Sequence, residues 1–436
     1  MNIRTGLLGL LMIAFAGTAQ AGSEPPPAPP ASICPQASAR IDVTTSPDVG
    51  GINAGTTDVM DNAALDAMAA LGPGWVRTTV RWADIQSDGP DAYDWSIPDT
   101  NIRNFKARGL KVLAVIVGTP KWAFATTLGN CNRSGTPTLR EGAAGGTEAG
   151  CVDYQICLVN PACTGGPQIP AEKFWRPFIS AVVNRYNGQT RDPQSASLTL
   201  PRVDAWEIWN EPNGGKDKFN GSLVQYHDLV LAPAVDQIRR RSNNLGAFIV
   251  APALATNQYA DADRSVQDSM VATALRDALV GTATQPVSID AVSLHSYKAA
   301  QQTMSTGASF RSALNAQFDW QYVPLWLTEY GKNSATGCTG TDTSCGEADQ
   351  YCAYRDFQYR NWGGATPPVF AKAFWYMFSD SLTPQRTVSH GYGVLGKCTI
   401  CAEPCNYVYY SKQLYGEMQR NHGKSPLSTR TPFGAP

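Results

Sequence analysis

Two glutamates in this sequence each close a short apolar run and could act together as a pair of carboxylates. Glu211 ends the segment Trp206–Glu211 (WEIWNE) and stands directly before Pro212. Glu329 ends the segment Leu325–Glu329 (LWLTE), and a Tyr-Gly pair follows it. Because Pro cannot donate to a strand ladder and Gly weakens one, both carboxylates are predicted to lie at the ends of strands.

Paired carboxylates are what the cleavage of a glycosidic bond requires. One acid protonates the leaving oxygen, and the other carboxylate attacks or stabilises the anomeric carbon. Groups about 5–5.5 Å apart retain the anomeric configuration through a covalent sugar intermediate. The acid must hold its proton near the working pH, while the nucleophile must stay ionised. We therefore expect Glu211 and Glu329 to divide these two roles.

Glu207 lies four residues before Glu211 in the same segment and is its rival for the role of acid. At about 3.3 Å per residue, Glu207 should lie roughly 13 Å deeper along an extended strand, out of reach of a polysaccharide. A buried carboxylate needs a cationic partner. We expect Arg77 to balance Glu207, to orient the nucleophile, or to do both.

Eight short apolar runs alternate with helical patterns, which predicts a (β/α)₈ TIM barrel with its site at the carboxyl ends of the strands. A doubly wound open sheet is the alternative, but Val49–Gly55 lacks the Gly-rich nucleotide spacing of that fold. The predicted strands are Val49–Ala54, Trp75–Trp82, Lys111–Val117, Val203–Trp209, Phe248–Leu254, Ala291–Tyr297, Leu325–Glu329 and Ala371–Phe378. The predicted helices include Ala63–Leu71, Glu172–Tyr186, Leu223–Arg240, Val266–Leu279, Glu347–Asn361 and one near Tyr410–Gln419.

The two ends of the chain differ in composition from the part between them. A positive Arg4, the apolar run Gly6–Gly17 and the small residues of Ala19–Ala21 predict a signal peptide over residues 1–21, since that run is too short to span a bilayer. Residues 22–38 are predicted to be a Pro-rich linker, residues 39–424 the catalytic barrel and residues 425–436 a C-terminal tail. We expect a secreted or periplasmic protein without a membrane span.

Composition narrows the classes of partner. The net charge is −1, 16% of residues are charged, and no basic run is present, which argues against binding to nucleic acid. Eleven Trp suit the stacking of sugar rings. Of the four His, only His295 is well placed for a metal site. We expect a carbohydrate substrate, no metal and no cofactor.

Nine of the eleven cysteines lie in the segments that follow the third, seventh and eighth strands, at residues 119–170, 331–346 and 379–407, whereas Cys34 stands alone and Cys352 lies just beyond the second segment. In an exported protein these cysteines predict disulfides that staple the loops on the carboxyl face of the barrel. The alternative is that Cys398-x-x-Cys401 forms half of a zinc site, although thiolates rarely stay free for metal in an oxidising compartment.

These features resemble clan A of the glycoside hydrolases, in which an Asn-Glu pair ends strand four and a Glu ends strand seven. The resemblance implies that Glu211 is the acid/base and Glu329 the nucleophile. It also implies that Asn210 hydrogen-bonds the 2-hydroxyl of the sugar.

The resemblance extends to two further strands. It implies that Arg77 on strand two lies near the nucleophile. The His-x-Tyr at the end of strand six implies that His295 and Tyr297 line the site, with the Tyr hydroxyl bonded to the nucleophile.

Within the clan, the chain most resembles family 39 and its relatives, from about Val49 to Gln419. Many members of that family add a β-sandwich, whereas almost nothing follows the last predicted helix here. The segments that carry this likeness, besides Arg77, are Trp82–Ile85 (WADI), Tyr93–Trp95 (YDW), Gly118–Trp122 (GTPKW) and Phe378–Asp380 (FSD).

Aromatic residues near the ends of strands are the remaining candidates for sugar binding. Either Trp375 or Tyr376 is expected to form the floor under the reacting sugar, because alternation lets only one face inward. Trp122 is either a sugar platform or part of a loop core. The acidic residues Asp84, Asp94 and Asp380 are expected to be caps and loop anchors.

The expected function is retaining hydrolysis of a β-linked polysaccharide or oligosaccharide outside the cytoplasm, with a slight preference for endo action. An exo-acting, xylosidase-like β-glycosidase of the same clan is one alternative. A carbohydrate-binding barrel without catalysis is the other.

Overall fold

The computed structural model of this chain describes most of the predicted barrel. The described residues are 46–55, 58–123, 126–127, 152–153, 170, 172–215, 218–219, 221–241, 246–259, 263–334, 346–364, 367–379, 381–382, 388–390, 394–397, 409–424 and 432–433.

Eight parallel strands close into a barrel, in which the first strand pairs with both the second and the eighth. The predicted fold class is therefore confirmed, and the doubly wound alternative is wrong. The strands are β1 (Gly50–Asn53), β2 (Trp75–Arg81), β3 (Lys111–Val117), β4 (Ala205–Ile208), β5 (Phe248–Ala255), β6 (Ala291–Ser296), β7 (Leu325–Tyr330) and β8 (Lys372–Trp375).

Within the described part of the chain, each barrel strand is followed by a helix of at least nine residues. These helices are α1 (Asn62–Leu71), α2 (Ser96–Ala107), α3 (Glu172–Arg185), α4 (Leu223–Tyr226, a π-helical His227–Leu231 and Ala232–Arg241), α5 (Arg264–Leu279), α6 (Ala300–Phe318), α7 (Glu347–Trp362) and α8 (Gln413–Asn421).

Short elements decorate the barrel. Helical turns span Pro47–Val49, Trp82–Ile85 and Lys121–Ala123. The small strand pairs are Thr126–Thr127 with Val152–Asp153, Arg191–Asp192 with Ser195–Thr199, and Ser381–Leu382 with Val388–His390. A three-stranded sheet joins Leu395–Lys397, Tyr409–Ser411 and Pro432–Phe433.

The amino ends of the strands enclose an apolar layer that closes the barrel floor. Two close aromatic rings, Trp75 and Trp326, meet edge-on with centroids 5.4 Å apart. Gly51 on β1 leaves room for Phe374, because a Cβ at Gly51 would lie 2.2 Å from that ring. The charged residues of the barrel interior therefore lie above this apolar layer. The buried residues of this layer are Trp75, Leu113, Ala205, Val250, Ala291, Trp326 and Phe374.

An irregularity in β7 helps to position its carboxylate. The pairing of β6 with β7 shifts between Leu294 and His295, so that His295 pairs with Glu329 rather than with Thr328. Because side chains of a regular strand alternate between faces, such a shift changes which residue turns toward the interior. Glu329 and His295 thereby lie side by side at the same level of the barrel.

The structure corrects several predicted boundaries. β4 ends at Ile208 rather than at Trp209, and β8 ends at Trp375 rather than at Phe378. Helices α2 and α6 follow their strands as the barrel pattern predicts, but neither they nor the π-helical turn inside α4 had been given bounds from the sequence.

Other predictions fall largely outside the described residues. The signal peptide, the linker and most of the three cysteine-rich segments lie there, so they stay predictions. Cys352 on α7, the one cysteine in the described part, is disulfide-bonded. Among the described residues, no helix combines the length and the apolar character needed to cross a bilayer.

Candidate active site

The end of β4 is shaped by two residues with left-handed backbone. Trp209 has φ of 69° and Glu211 has φ of 49°, values that L side chains rarely adopt. Neighbouring strands hold this turn, because the Trp209 amide donates to Ile116 and the Glu211 amide donates to the carbonyl of Ala253 at 3.1 Å. Strained backbone of this kind persists only where the surrounding structure determines it, and it clusters at functional sites.

Both oxygens of the Glu329 carboxylate accept hydrogen bonds from the protein. The Arg77 guanidinium donates to Oε1 at 2.6 Å, and the Tyr297 hydroxyl donates to Oε2 at 2.5 Å. Burial and the Glu329 charge raise the pKa of Tyr297 well above its ordinary value, so its hydroxyl keeps the proton that it donates. Each oxygen of this buried carboxylate therefore has a side-chain donor.

Glu211 faces Glu329 across the mouth of the barrel. An oxygen of each carboxylate and one nitrogen of His295 all lie within 4.8 Å of one another. The imidazole stands between the two acids, because its Nδ1 lies 3.0 Å from Oε1 of Glu211 and 3.6 Å from Oε2 of Glu329. The structure thus brings together both glutamates that the sequence singled out.

Arg77 connects the buried parts of the site. Its Nε donates to Glu207 at 2.6 Å, and its Nη1 donates to both Glu329 and Asn53. Its Nη2 donates to Asn210 at 2.9 Å and lies 3.5 Å from Nε2 of His295. All five N–H groups of the guanidinium therefore have an acceptor within reach.

The charge of Arg77 is secured by its partners. Burial lowers the pKa of its guanidinium, but the carboxylates of Glu207 and Glu329 raise it by more, so the group stays protonated. Arg77 contacts both carboxylates, which corresponds to the option that it serves both.

The orientation of Asn210 follows from its contact with Arg77. Its Oδ1 accepts from the guanidinium at 2.9 Å, so its amide nitrogen is the group left to face a ligand. An N–H donor beside the two carboxylates suits a sugar hydroxyl.

The tautomer of His295 follows from its two neighbours. Arg77 can only donate, so Nε2 of the ring is the acceptor and Nδ1 carries the proton that Glu211 accepts.

Glu211 is the more exposed of the two acids. Besides His295, it contacts Lys218, whose Nζ lies 3.4 Å from Oε2. Burial raises the pKa of the Glu211 carboxyl, but the hydrogen bonds and charges of His295 and Lys218 outweigh it and lower the pKa to about 2.

Glu211, His295 and Glu329 are also spaced as three metal ligands could be. Arg77 and Tyr297 already occupy both oxygens of Glu329, however, and His295 is engaged with Glu211. The cluster is satisfied as a hydrogen-bonded acid–base network, with the guanidinium supplying the positive charge that a metal would supply.

The aromatic candidates separate clearly. Trp375 is 1% exposed and packs edge-on against Tyr330 and Tyr354 in the layer between barrel and helices, so it is not the floor of the site. Tyr376, the next residue, contacts the Tyr297 ring edge-on with centroids 5.9 Å apart and thus lies beside the nucleophile candidate. Alternation along β8 explains the difference.

Trp122 has the contacts of a loop-core residue, one of its two predicted alternatives. Its indole donates to the carbonyl of Gln86 at 2.6 Å, and its ring packs edge-on against Trp82 and Phe174.

The acidic residues expected to be caps and loop anchors contact residues close to them in the sequence. Asp84 pairs with Arg81 at 3.4 Å, and Asp94 accepts from the Ser96 amide at 2.9 Å at the start of α2. Asp380 lies outside the described residues.

Two residues of the site escaped the sequence analysis. Asn53 at the end of β1 accepts from Arg77 and donates to the carbonyls of Thr328 and Trp375, thereby joining three strands. A polar residue closing the otherwise apolar β1 was the available signal. Lys218 gave no signal, because its approach to Glu211 depends on a loop.

Comparison with known proteins agrees with the geometry. A family model described as Cellulase (glycosyl hydrolase family 5) matches residues 201–364, a segment that contains Glu211, His295 and Glu329. No curated protein matches the sequence of this chain.

Three solved structures of similar fold are named as a glucosidase, a family 39 glycoside hydrolase and a family 39 β-xylosidase. A glucosidase from Croceicoccus marinus is 12% identical with a TM-score of 0.50, over 86% of this chain and 70% of that one. A family 39 glycoside hydrolase from Bacteroides cellulosilyticus WH2 is 14% identical with a TM-score of 0.51, over 88% of this chain and 64% of that one. A family 39 β-xylosidase from Caulobacter crescentus is 14% identical with a TM-score of 0.50, over 87% of this chain and 71% of that one.

At these identities the likeness concerns the fold, and this chain spans about two thirds of the length of the three proteins. The closed barrel, the paired glutamates at the ends of β4 and β7 and the matched family model nevertheless converge. The resemblance to clan A of the glycoside hydrolases is thus confirmed at the level of the barrel fold and of residues 201–364, which match the model of a glycoside hydrolase family.

Proposed function

We propose that this protein hydrolyses β-linked glycosides with retention of configuration, with Glu329 as nucleophile and Glu211 as acid/base. One observation carries the proposal: carboxylate oxygens of the two residues lie within 4.8 Å of each other. Retaining enzymes keep their carboxyl groups about 5–5.5 Å apart, whereas inverting enzymes separate them by about 6.5–9.5 Å to admit a water molecule.

In the first step, an oxygen of Glu329 attacks the anomeric carbon while the bond to the leaving oxygen breaks. Glu211 gives its proton to that oxygen, so the aglycone departs as an alcohol and Glu211 becomes an anion. Asn210 is positioned to donate to the sugar 2-hydroxyl, a contact that strengthens in the transition state.

In the second step, water attacks the anomeric carbon of the glycosyl ester. Glu211 takes a proton from that water, and the bond from the sugar to Glu329 breaks with its electrons returning to the carboxylate. The hydrogen bonds from Arg77 and Tyr297 receive the regenerated anion.

Glu211 must carry a proton when the substrate is bound. In the free protein the Lys218 ammonium favours its anion, but that side chain is half exposed. A sugar that fills the mouth displaces solvent from Glu211 and separates Lys218 from it. Both changes raise the pKa of the carboxyl and prepare it to donate.

The substrate class rests on the sequence and on the relatives. The signal peptide and linker predicted for residues 1–38 favour action outside the cytoplasm on a polymer, which argues for endo action. The similar structures include a glucosidase and a β-xylosidase. A panel of glucans, xylans and mannans beside 4-nitrophenyl β-glycosides, with product sizing, separates endo from exo action.

The test of the mechanism is trapping. A 2-deoxy-2-fluoro glycoside with a 2,4-dinitrophenyl leaving group should inactivate the enzyme and attach to the peptide that contains Glu329. NMR of the first product should show the β-anomer. An α-anomer as first product, or a label on another residue, would reject the proposal. Binding of oligosaccharides without turnover of any glycoside would instead support a non-catalytic barrel.

A further inference from the structure

Two carboxylates share the single positive charge of Arg77 inside the barrel. Glu207 on β4 and Glu329 on β7 each lie 2.6 Å from a different nitrogen of the guanidinium. All three side chains are buried, since Glu207, Arg77 and Glu329 are 0%, 5% and 7% exposed. Charges in such an interior are screened far less than charges at the surface.

The charge of Glu207 acts mainly on Arg77. Its Oε2 accepts from Nε of Arg77, while its Oε1 has no hydrogen-bond partner among the described residues. The nearby Tyr226 hydroxyl donates to the carbonyl of Ile208 instead. Burial and the negative charge of Glu207 raise the pKa of Tyr226, so that neighbour stays neutral.

The charge of this trio changes during the reaction. With Glu329 ionised, Glu207, Arg77 and Glu329 together carry one negative charge. Once Glu329 forms a neutral glycosyl ester, Glu207 and Arg77 remain as a balanced pair. Without Glu207, the ester state would leave a buried, unbalanced guanidinium, which is costly.

We propose that Glu207 is a positioning residue that weakens the hold of Arg77 on Glu329 and thereby keeps Glu329 reactive as a nucleophile. This inference rests on the proposed function, because it concerns the same reaction. Glu207 touches no reacting atom and acts on Glu329 through Arg77, its hydrogen-bonded partner. Its second effect is to fix the guanidinium plane, so that Nη2 reaches Asn210 and His295.

Other charged or titratable groups also face Glu329. His295 on β6 lies 3.6 Å away, Tyr297 donates to Oε2, and Glu211 lies across the mouth of the barrel. A neutral residue at position 207 leaves all three in place. A change confined to the ionisation of Glu329 is therefore attributable to Arg77 being released from Glu207.

The expected consequence differs between the two steps. With Glu207 neutral, Arg77 holds the Glu329 anion more tightly, so attack on the anomeric carbon and formation of the ester become slower. The same anion becomes a better leaving group, so cleavage of the ester by water becomes faster. The glycosyl-enzyme should therefore accumulate less in the steady state.

The experiment compares Glu207→Gln with the wild-type chain on the 4-nitrophenyl β-glycoside that the wild type cleaves fastest. We expect kcat/KM to fall at least tenfold and its acidic limb to move down by about one pH unit, because one nearby charge shifts an acid by about 1–3 units. Any pre-steady-state burst should shrink. Glu207→Asp, which keeps the charge, should restore the position of the limb.

Glu207→Met provides a second neutral variant if the Gln variant does not fold, because Met is similar in length to Glu and Arg77 keeps Glu329 as its ion-pair partner. Asp99→Asn is the matched control, since Asp99 is a buried carboxylate that binds Arg185 in the helix layer. It should alter stability without moving the limb.

Two outcomes are decisive and distinct. A neutral variant whose acidic limb stays at the wild-type pH, in an enzyme that still labels at Glu329, would overturn the role of Glu207. Full activity of Glu329→Gln, or no glycosidase activity in the wild type, would overturn the proposed function itself.

Discussion

The Tyr297 hydroxyl and Oε2 of Glu329 lie 2.5 Å apart, and this hydrogen bond fills the second oxygen of a carboxylate whose first oxygen Arg77 already binds. Because Tyr297 stays protonated, its hydroxyl is the donor in this bond and Glu329 is the acceptor. A phenol, rather than a second cation, is therefore the second partner of the proposed nucleophile.

Tyr297→Phe should lower kcat/KM by about 10- to 100-fold, because a hydrogen bond to a charged group contributes about 1.5–3 kcal/mol. Its sign on the pH profile is opposite to that of Glu207→Gln. Loss of a donor to the anion moves the acidic limb to higher pH. The control is Tyr330→Phe, whose hydroxyl accepts from Gln358 on the outer side of β7. A limb that stays in place in the Tyr297 variant would contradict this account.

Glu211→Gln should lose activity according to the leaving group. We expect a fall of about 10²–10⁴-fold with 4-nitrophenyl or natural substrates, because general acid catalysis contributes that much. A 2,4-dinitrophenyl glycoside needs no proton, so its glycosylation step should be nearly normal. Azide should then restore turnover and yield a β-glycosyl azide. Equal losses on both substrates, without azide rescue, would contradict the assignment.

Chelation should leave the activity unchanged. Arg77 and Tyr297 occupy both oxygens of Glu329, so a metal ion would first have to displace one of them. Activity after dialysis against EDTA, with metal content measured by mass spectrometry, checks this. Loss of activity that a divalent metal reverses would revive a metal-dependent mechanism.

The Asp48 carboxylate should stabilise the protein at neutral pH and lose this effect when the pH becomes strongly acidic. Burial raises the pKa of this carboxyl, but hydrogen bonds and charge from Lys111, Lys372 and Trp75 outweigh it and lower the pKa to about 2. A folded-state pKa below the unfolded value means that the stabilisation is complete above about pH 4 and is lost as the pH falls toward 2.

Asp48→Asn should therefore lower the free energy of unfolding at neutral pH, by about 1 kcal/mol or less because the side chain is half exposed and solvent screens it. The gap to the wild type should close between pH 4 and pH 2 in urea titrations. A gap that is independent of pH would show that packing, not charge, carries the effect.

Gly51→Ala tests the barrel floor. A Cβ at this position would lie 2.2 Å from the Phe374 ring, so the ring must move. Overpacking of this kind costs about 1–3 kcal/mol. The double variant Gly51→Ala, Phe374→Leu should recover part of that loss, and simple additivity of the two costs would speak against a steric conflict.

The eight strands were predictable because each is a compact apolar run of β-branched or aromatic residues bounded by polar ones. Their ends were harder to place. β4 stops before Trp209 because left-handed backbone at Trp209 and Glu211 breaks the ladder, and that conformation depends on Ala253 in the neighbouring strand. No local pattern in the WNE segment encodes it.

Helix α6 escaped prediction for a different reason. Its buried face uses small polar residues such as Thr303, Thr306 and Ser309, so the apolar periodicity that marks a helix is faint. Close packing against α5 explains its stability, since Ser309 donates to the side chain of Gln267 on that helix.

The two glutamates that we propose as catalytic could be named from the sequence because each sits at a strand end within a specific motif. The network of contacts that links these two glutamates could not be predicted. The sequence left open whether Arg77 balances Glu207, orients Glu329 or does both, whereas the five contacts of its guanidinium come from four different strands and depend on barrel closure. The contacts of Asn53 and Lys218 likewise depend on the tertiary fold.

Because every N–H group of the Arg77 guanidinium has an acceptor, this residue limits how the protein can be redesigned. Lysine offers three donors and no planar fork, so no other natural side chain can replace Arg77 without orphaning several partners at once. Arg77 and the side chains that bind it should therefore tolerate few substitutions. A change of substrate is better sought by exchanging the long segments after β3, β7 and β8, which leaves every partner of Arg77 in place.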